Sequence, residues 1–135
     1  MIAATQLRLV LVTPETTLVD TPTTSIVVPM FDGQLGVLPG RAPAVGRLGV
    51  GELRFNADGK GAQRYFIDGG FLQVKGSVVT VLTHEAKPVG ELDASAAQQA
   101  LDKANQLVAT TDAAAVEKQH AQDRARRMLD LSRRF

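Results

Sequence analysis

Leu7, Leu9 and Leu11 alternate with Arg8, Val10 and Val12, the period of a strand with one well-buried face. Thr24–Val28 and Val78–Thr83 are rich in β-branched residues. Between them lie Gly46–Phe55, Tyr65–Asp68 and Phe71–Lys75, punctuated by Asn56-Ala57-Asp58-Gly59, Gly69-Gly70 and Gly76-Ser77. Short strands with turn signals at close, regular spacing predict an all-β region up to Leu92, an antiparallel sandwich or barrel.

Beyond Leu92 glycine and proline vanish and alanine, glutamine, lysine and arginine take over. Ala97, Ala100, Leu101, Ala104, Leu107 and Val108 recur at helical spacing and predict one apolar stripe. Asp93 is placed to cap that helix, its carboxylate accepting from free N–H groups of the first turn. Thr110-Thr111-Asp112 breaks the pattern and offers a second cap. A second helix is expected to the end of the chain, with Val116, Ala121, Ala125, Met128 and Leu129 as a thinner stripe. Two helices on a short polar link predict an antiparallel hairpin. Alanine buries little apolar area, so weak docking is expected; the stripe fits a detachable hairpin and equally one that stays put, with alanine serving as a good helix former.

Composition narrows the function classes. The chain has 135 residues, enough for one compact domain with a small appendage. Aromatic residues make up only 4%, which argues against a stacking platform for single-stranded nucleic acid. A net charge of +1 provides no global field toward DNA or an anionic membrane. Without cysteine there are no disulfides or thiolate metal sites. The start Met1-Ile2-Ala3-Ala4-Thr5-Gln6 lacks the features of a signal peptide. No apolar run approaches the roughly 20 residues of a membrane-spanning helix. The expectation is a soluble chain, or one that meets a membrane only through partners.

Catalytic patterns are missing. His84-Glu85 lacks the second histidine of a zinc-gripping H-E-x-x-H helix, and His120 lies in an unlike region. There is no nucleophile elbow and no phosphate-cradling Gly-rich loop. Gly49-Val50-Gly51 lacks the third glycine of a dinucleotide fingerprint and sits in the wrong, β-rich context. No catalytic residue, metal site or cofactor is expected, and the chain reads as a non-enzyme.

Docking features remain. Phe31-Asp32-Gly33-Gln34-Leu35-Gly36-Val37-Leu38-Pro39-Gly40-Arg41-Ala42-Pro43 holds several glycines and prolines, predicting a stiff loop with Arg41 on show. Pro39-Gly40 suits a type II turn, and Pro43, which has no N–H, should end the loop at a sheet edge. In the second helix Lys118, Arg124, Arg126, Arg127, Arg133 and Arg134 outnumber Glu117, Asp123 and Asp130. That bias fits either a solvated face with cations near a helix C-terminus or arginines meeting carboxylates or phosphates of a partner.

The order of elements resembles the epsilon subunit of F-type ATP synthases over essentially the whole chain. The most specific matches are Gly33–Pro43 and Phe66-Ile67-Asp68-Gly69-Gly70-Phe71-Leu72-Gln73-Val74, followed by Val79-Thr80-Val81-Leu82 and the helix start at Leu92-Asp93. The resemblance implies an α+β fold, with an N-terminal antiparallel β-sandwich (1–90) that binds the rotor. A C-terminal antiparallel two-helix hairpin (91–135) would be regulatory. It implies a noncatalytic central-stalk subunit, not a homo-oligomer, bound to gamma, the c-subunit ring and the catalytic alpha/beta hexamer. Such a subunit couples ion flow through the ring to ATP synthesis. It would lie on the cytoplasmic face of the bacterial plasma membrane, held there only through the complex.

On that template Asp32, Gln34, Arg41 and Pro43 belong to the loop facing the c ring and gamma. Arg124, Arg126, Arg127 and Arg133 would meet acidic segments of the catalytic hexamer when the hairpin extends to inhibit ATP hydrolysis. Two departures stand out. Arg41 replaces the family's usual histidine, a permanent cation for a titratable group. Ala96 stands where the ATP-binding motif of some bacterial relatives has arginine, so weak or no ATP binding is expected. Asp93, Arg124 and Arg127 would form any residual nucleotide site. The competing reading is a free-standing β-sandwich binding module with a basic helical tail for RNA or an acidic protein.

Overall fold

The computed structural model describes residues 6–57 and 60–133. The predicted calls on Met1–Thr5, Asp58, Gly59 and Arg134 lie outside these described residues. Ten strands come first: β1 (Leu7–Val12), β2 (Thr17–Thr23), β3 (Ile26–Met30), β4 (Gly33–Val37), β5 (Ala44–Arg47), β6 (Val50–Ala57), β7 (Gly61–Asp68), β8 (Phe71–Lys75), β9 (Val78–Leu82) and β10 (Ala86–Pro88). A 3₁₀ turn (Val89–Glu91) precedes two helices, α1 (Ala94–Gln106) and α2 (Asp112–Ser132). The chain divides into two compact units, one up to Pro88 and one from Val89 onward.

In the first unit the strands form two five-stranded sheets, ordered β2-β1-β9-β8-β5 and β10-β7-β6-β3-β4. This is the sandwich rather than the barrel. Leu7, Leu9, Leu11, Leu72, Val74, Val79 and Val81 from one sheet meet Ile26, Val28, Leu53, Phe55 and Ile67 from the other in a single buried core. Period-2 alternation is what places these side chains on one face of each strand. The pairing departs from pure antiparallel at one place: β1 runs parallel to β9, with Arg8 opposite Val78 and Val12 opposite Leu82.

Three sequence expectations are corrected. Gly46–Phe55 is not one strand; it breaks at Leu48-Gly49, where the chain passes from one sheet to the other. At that corner Leu48 N–H donates to the Gly70 carbonyl at 2.9 Å and Gly49 N–H to the Pro29 carbonyl at 2.9 Å. A Cβ on Gly49 would lie 2.7 Å from the Met30 carbonyl oxygen, so only glycine lets the backbones pass this closely. Phe31–Pro43 is likewise not one loop. Its first part is the turn of a hairpin, and Gly33–Val37 pairs with β3 as an edge strand, because Leu35 and Val37 alternate inward.

The third correction concerns the helical unit. The stripe predicted to run through Leu107 and Val108 stops at Ala104. α1 closes at Gln106 with Leu107 N–H bonded to the Ala104 carbonyl, and Leu107 and Val108 are 48% and 82% exposed. Thr111 then caps α2, its hydroxyl accepting from Ala114 N–H at 3.1 Å. Val116 is exposed too, and the buried residues of α2 are Ala125, Leu129 and Leu131. Asp93 caps α1 as the sequence indicates, accepting from Ser95 N–H at 3.0 Å. Asn105 and Gln122 bridge the antiparallel helices at 2.9 Å.

Gly70 sets a stringent local requirement. Its φ is +109°, and a Cβ there would fall 1.8 Å from the Leu82 carbonyl oxygen. Gly76 has φ +60° and open space around it. Gly70→Ala is therefore expected to destabilise the sandwich by about 3 kcal/mol or more, and Gly76→Ala by about 1 kcal/mol. Denaturant unfolding of both variants checks this; equal losses would refute the corner's role.

Candidate functional site

β4 and β5 are the outermost strands of the two sheets, and Leu38–Pro43 joins them around the end of the sandwich. Pro39 and Gly40 make the expected turn: Gly40 has φ +86° and Arg41 N–H returns to the Leu38 carbonyl at 3.3 Å. Those values match a type II turn, with proline presetting the first central residue and glycine accepting the positive φ of the second. Pro43 ends the loop immediately before edge strand β5, where its missing N–H disrupts no ladder.

The strand edges enclose an open groove of about 400 Å³ lined by Met30, Asp32, Gln34, Leu35, Arg41 and Val45, among others. Met30 forms part of its floor, because its methyl group occupies the space beside Gly46, 2.4 Å from where a Cβ would sit. The structure thus brings together three of the four residues assigned to this loop. Asp32 arrives from the β3–β4 turn, Gln34 from β4 and Arg41 from the β4–β5 turn. Pro43 is exposed and positions the chain without lining the groove. Among the described residues the Arg41 guanidinium has no hydrogen-bond or ion-pair partner. An exposed, unpaired guanidinium beside a carboxylate and an amide can bind a polar loop carrying acceptors and donors of its own.

Sequence reasoning missed the apolar surroundings of this groove. Phe31, Leu38, Val45 and Phe71 are 66%, 62%, 77% and 60% exposed. The Arg47 guanidinium lies over the Phe31 ring, 6.0 Å from its centre. The available signal was scarcity: with five phenylalanines and one tyrosine in the chain, an aromatic residue in a turn is a costly position for solubility alone.

The helical candidates do not converge. Arg124 is half-buried, whereas Arg126, Arg127 and Arg133 are exposed. Arg126 approaches Asp123 at 3.8 Å, one turn earlier. Arg124 and Arg127 neighbour each other at i,i+3, while Arg126 and Arg133 share a different face at i,i+7. The Asp93 carboxylate serves as a helix cap, and Ala96 offers nothing to a phosphate. Among the described residues no cluster of metal-ligating side chains exists, and no helix is long and apolar enough to cross a membrane.

Comparison with known proteins agrees with this architecture. Residues 6–89 match the family described as ATP synthase, Delta/Epsilon chain, beta-sandwich domain. The ATP synthase epsilon chain of Rhodopirellula baltica is 47% identical over 127 residues, covering 94% of this chain and 98% of that one. The ATP synthase epsilon chain of Carboxydothermus hydrogenoformans is 37% identical over 78% of each chain. Among solved structures, a chain in the OSCP/F1/c-ring part of the Euglena gracilis mitochondrial ATP synthase superposes with a TM-score of 0.83 at 26% identity, covering 95% of this chain and 82% of that one. A chain of the Tetrahymena thermophila mitochondrial central stalk and c ring shares the fold, with a TM-score of 0.78 at 14% identity over 97% of this chain and 99% of that one.

Proposed function

The chain belongs to the ATP synthase delta/epsilon family, and from that premise we propose that it works as the noncatalytic epsilon-type subunit of a rotary ATP synthase. In this role the sandwich, residues 1–90, binds gamma and rests on the polar loops of the c ring. Ion flow through the ring then turns the central stalk inside the alpha/beta hexamer. The subunit sits on the cytoplasmic face of the bacterial plasma membrane as a peripheral part of the complex.

The observation that carries the reading at residue level is the groove between β4 and β5. It gathers Asp32, Gln34 and Arg41 on one rigid end of the sandwich. A stalk subunit must transmit torque through its contacts, so the contacting groups have to be held by the backbone. The type II turn at Pro39-Gly40 and the edge strands on both sides meet that requirement. Arg41 supplies a permanent cation where a histidine would lose its charge above its ordinary titration range.

Residues 91–135 form the regulatory part of the proposal. Alanine accounts for three of the five buried residues of the two helices, Ala97, Ala104 and Ala125 beside Leu129 and Leu131, and small side chains contribute little burial energy per residue. Such a hairpin can leave one partner for another at modest cost. Arg126, Arg127 and Arg133, exposed along α2, with Arg124 beside them, would meet acidic segments of the catalytic hexamer and hold back ATP hydrolysis. Nucleotide is expected to bind this chain weakly or not at all: Ala96 removes one charge-assisted contact, commonly worth about 1.5–3 kcal/mol, and Asp93 accepts from Ser95 N–H.

Arg41→Glu is expected to leave the sandwich folded and to lower proton-driven ATP synthesis in reconstituted vesicles; an unchanged rate would remove the groove from the ring contact. Deleting Asp93–Phe135 should preserve gamma binding and raise ATP hydrolysis by the complex. Hydrolysis at the rate of the intact complex would leave coupling as the only role. Calorimetric titration of the chain with ATP should show no micromolar binding, and a micromolar Kd would contradict the assignment of Ala96.

A further inference from the structure

Of the chain's three methionines, Met1 lies outside the described residues, Met128 is on α2, and Met30 closes β3. Met30 belongs to the second sheet, where it pairs with Gly33 of β4. Its terminal methyl nevertheless lies against Gly46 of β5, the outermost strand of the first sheet, in space that a Cβ at Gly46 would need. Its backbone bridges to Leu48, just past β5. Main chain and side chain of one residue therefore hold the edge of one sheet to the other. Among the described residues β5 pairs with β8 alone, so little else restrains it. The thioether works as a bolt across the open edge of the sandwich. An unbranched, polarizable side chain suits an irregular gap of this kind.

The bolt is also within reach of solutes. Met30 is half-buried, packs against the core on one side and lines the open groove between β4 and β5 on the other. A peroxide entering that groove can oxidise the thioether. The sulfur lone pair attacks one peroxide oxygen, the O–O bond breaks, an S=O bond forms, and the second oxygen leaves as water. Sulfur is oxidised and the peroxide reduced, and a flexible apolar group becomes a polar, chiral sulfoxide. A sulfoxide oxygen kept against the apolar core would lack a hydrogen-bond donor, which is costly. The groove supplies one, because the Arg41 guanidinium, unpaired among the described residues, lines it too.

We infer that Met30 is a peroxide-sensitive bolt: oxidation draws its side chain from Gly46 into the groove, loosens β5 and weakens the contact made at that end of the sandwich. The effect on coupling rests on the stalk reading above, whereas the oxidation and the loosening of β5 do not. Reductases return a sulfoxide to the thioether, so the change is a switch rather than permanent damage. It acts on packing at one point, and the groove passes the change on through the position of Arg41 and the β5 edge. Met128, half-buried on α2, is the reference against which Met30 is judged.

The test treats the full chain with hydrogen peroxide under native conditions, locates the sulfoxide by peptide mass spectrometry and follows β5 by amide exchange. Met30 is expected to oxidise within about tenfold of its rate in the urea-unfolded chain, because the groove leaves it accessible. The β5 amides should then exchange about tenfold faster, and a sulfoxide reductase should restore their protection. Met30→Leu, which keeps the apolar volume, should make β5 exchange insensitive to peroxide, and Met128→Leu should respond as the parent does. Protection of Met30 by more than about a hundredfold, or β5 exchange unchanged after its oxidation, would overturn the inference. For the effect on coupling, the chain is oxidised alone and rebuilt into a complex depleted of it. Proton-driven ATP synthesis should fall about twofold or more on oxidation of the parent and should not change on peroxide treatment of Met30→Leu. An unchanged rate with the oxidised parent, while Arg41→Glu still lowers it, would overturn the switch and leave the groove reading intact. No effect from either would overturn both.

Discussion

The end of the sandwich where β4 and β5 meet depends on one close passage of backbone. At Gly49 the chain leaves the first sheet for the second, with its N–H on the Pro29 carbonyl at 2.9 Å and its own carbonyl accepting from Gly69 N–H at 3.1 Å. Leu48 reaches the Gly70 carbonyl beside it, and Phe31 reaches that of Arg47. These bonds tie the end of β3, the β5–β6 corner and the β7–β8 corner into one knot of main chain. No Cβ fits at Gly49 or Gly70. The geometry of β5, the groove beside it and the Phe31–Arg47 contact all follow from that approach.

Much of this was legible in the residues. The alternation of Leu7, Leu9 and Leu11, the glycine pair at Gly69-Gly70 and the loss of glycine after Leu92 each dictate a local conformation. The turn at Pro39-Gly40 was readable for the same reason, since φ at both positions is determined by residue type. What escaped was set by tertiary contact. The break at Leu48-Gly49 is invisible to periodicity, because it arises where Met30 and Gly70 approach from elsewhere in the chain. α1 ends before Leu107 and Val108, which are exposed, and the Thr111 hydroxyl starts a new helix four residues after Leu107. The groove could be named by its charged members, but Phe31, Val45 and Phe71 became candidates only once their exposure was known.

The two units embody different mechanical choices. The sandwich buries leucine, isoleucine, valine and phenylalanine in a single two-sided core, and each such side chain contributes roughly 1.5–3 kcal/mol of transfer energy. The two helices bury alanine at Ala97, Ala104 and Ala125 beside Leu129 and Leu131 and add polar links such as Asn105–Gln122. Deep apolar packing resists deformation and suits a part that transmits force. Small side chains contribute less burial energy per residue. Both properties follow from side-chain volume rather than from any special motif.

The parallel pairing of β1 with β9 also has a consequence for how the chain comes into being. β1 precedes the other strands and can pair with β2, its neighbour in sequence, as soon as both are made. Its other edge has to wait for β9, made after almost all of the rest of the sandwich. Until then a strand reading Leu-Arg-Leu-Val-Leu-Val keeps one edge of unpaired N–H and C=O groups, the kind of segment prone to mispairing. Closure of the sandwich is thus a late, long-range event that must follow synthesis of nearly the whole unit.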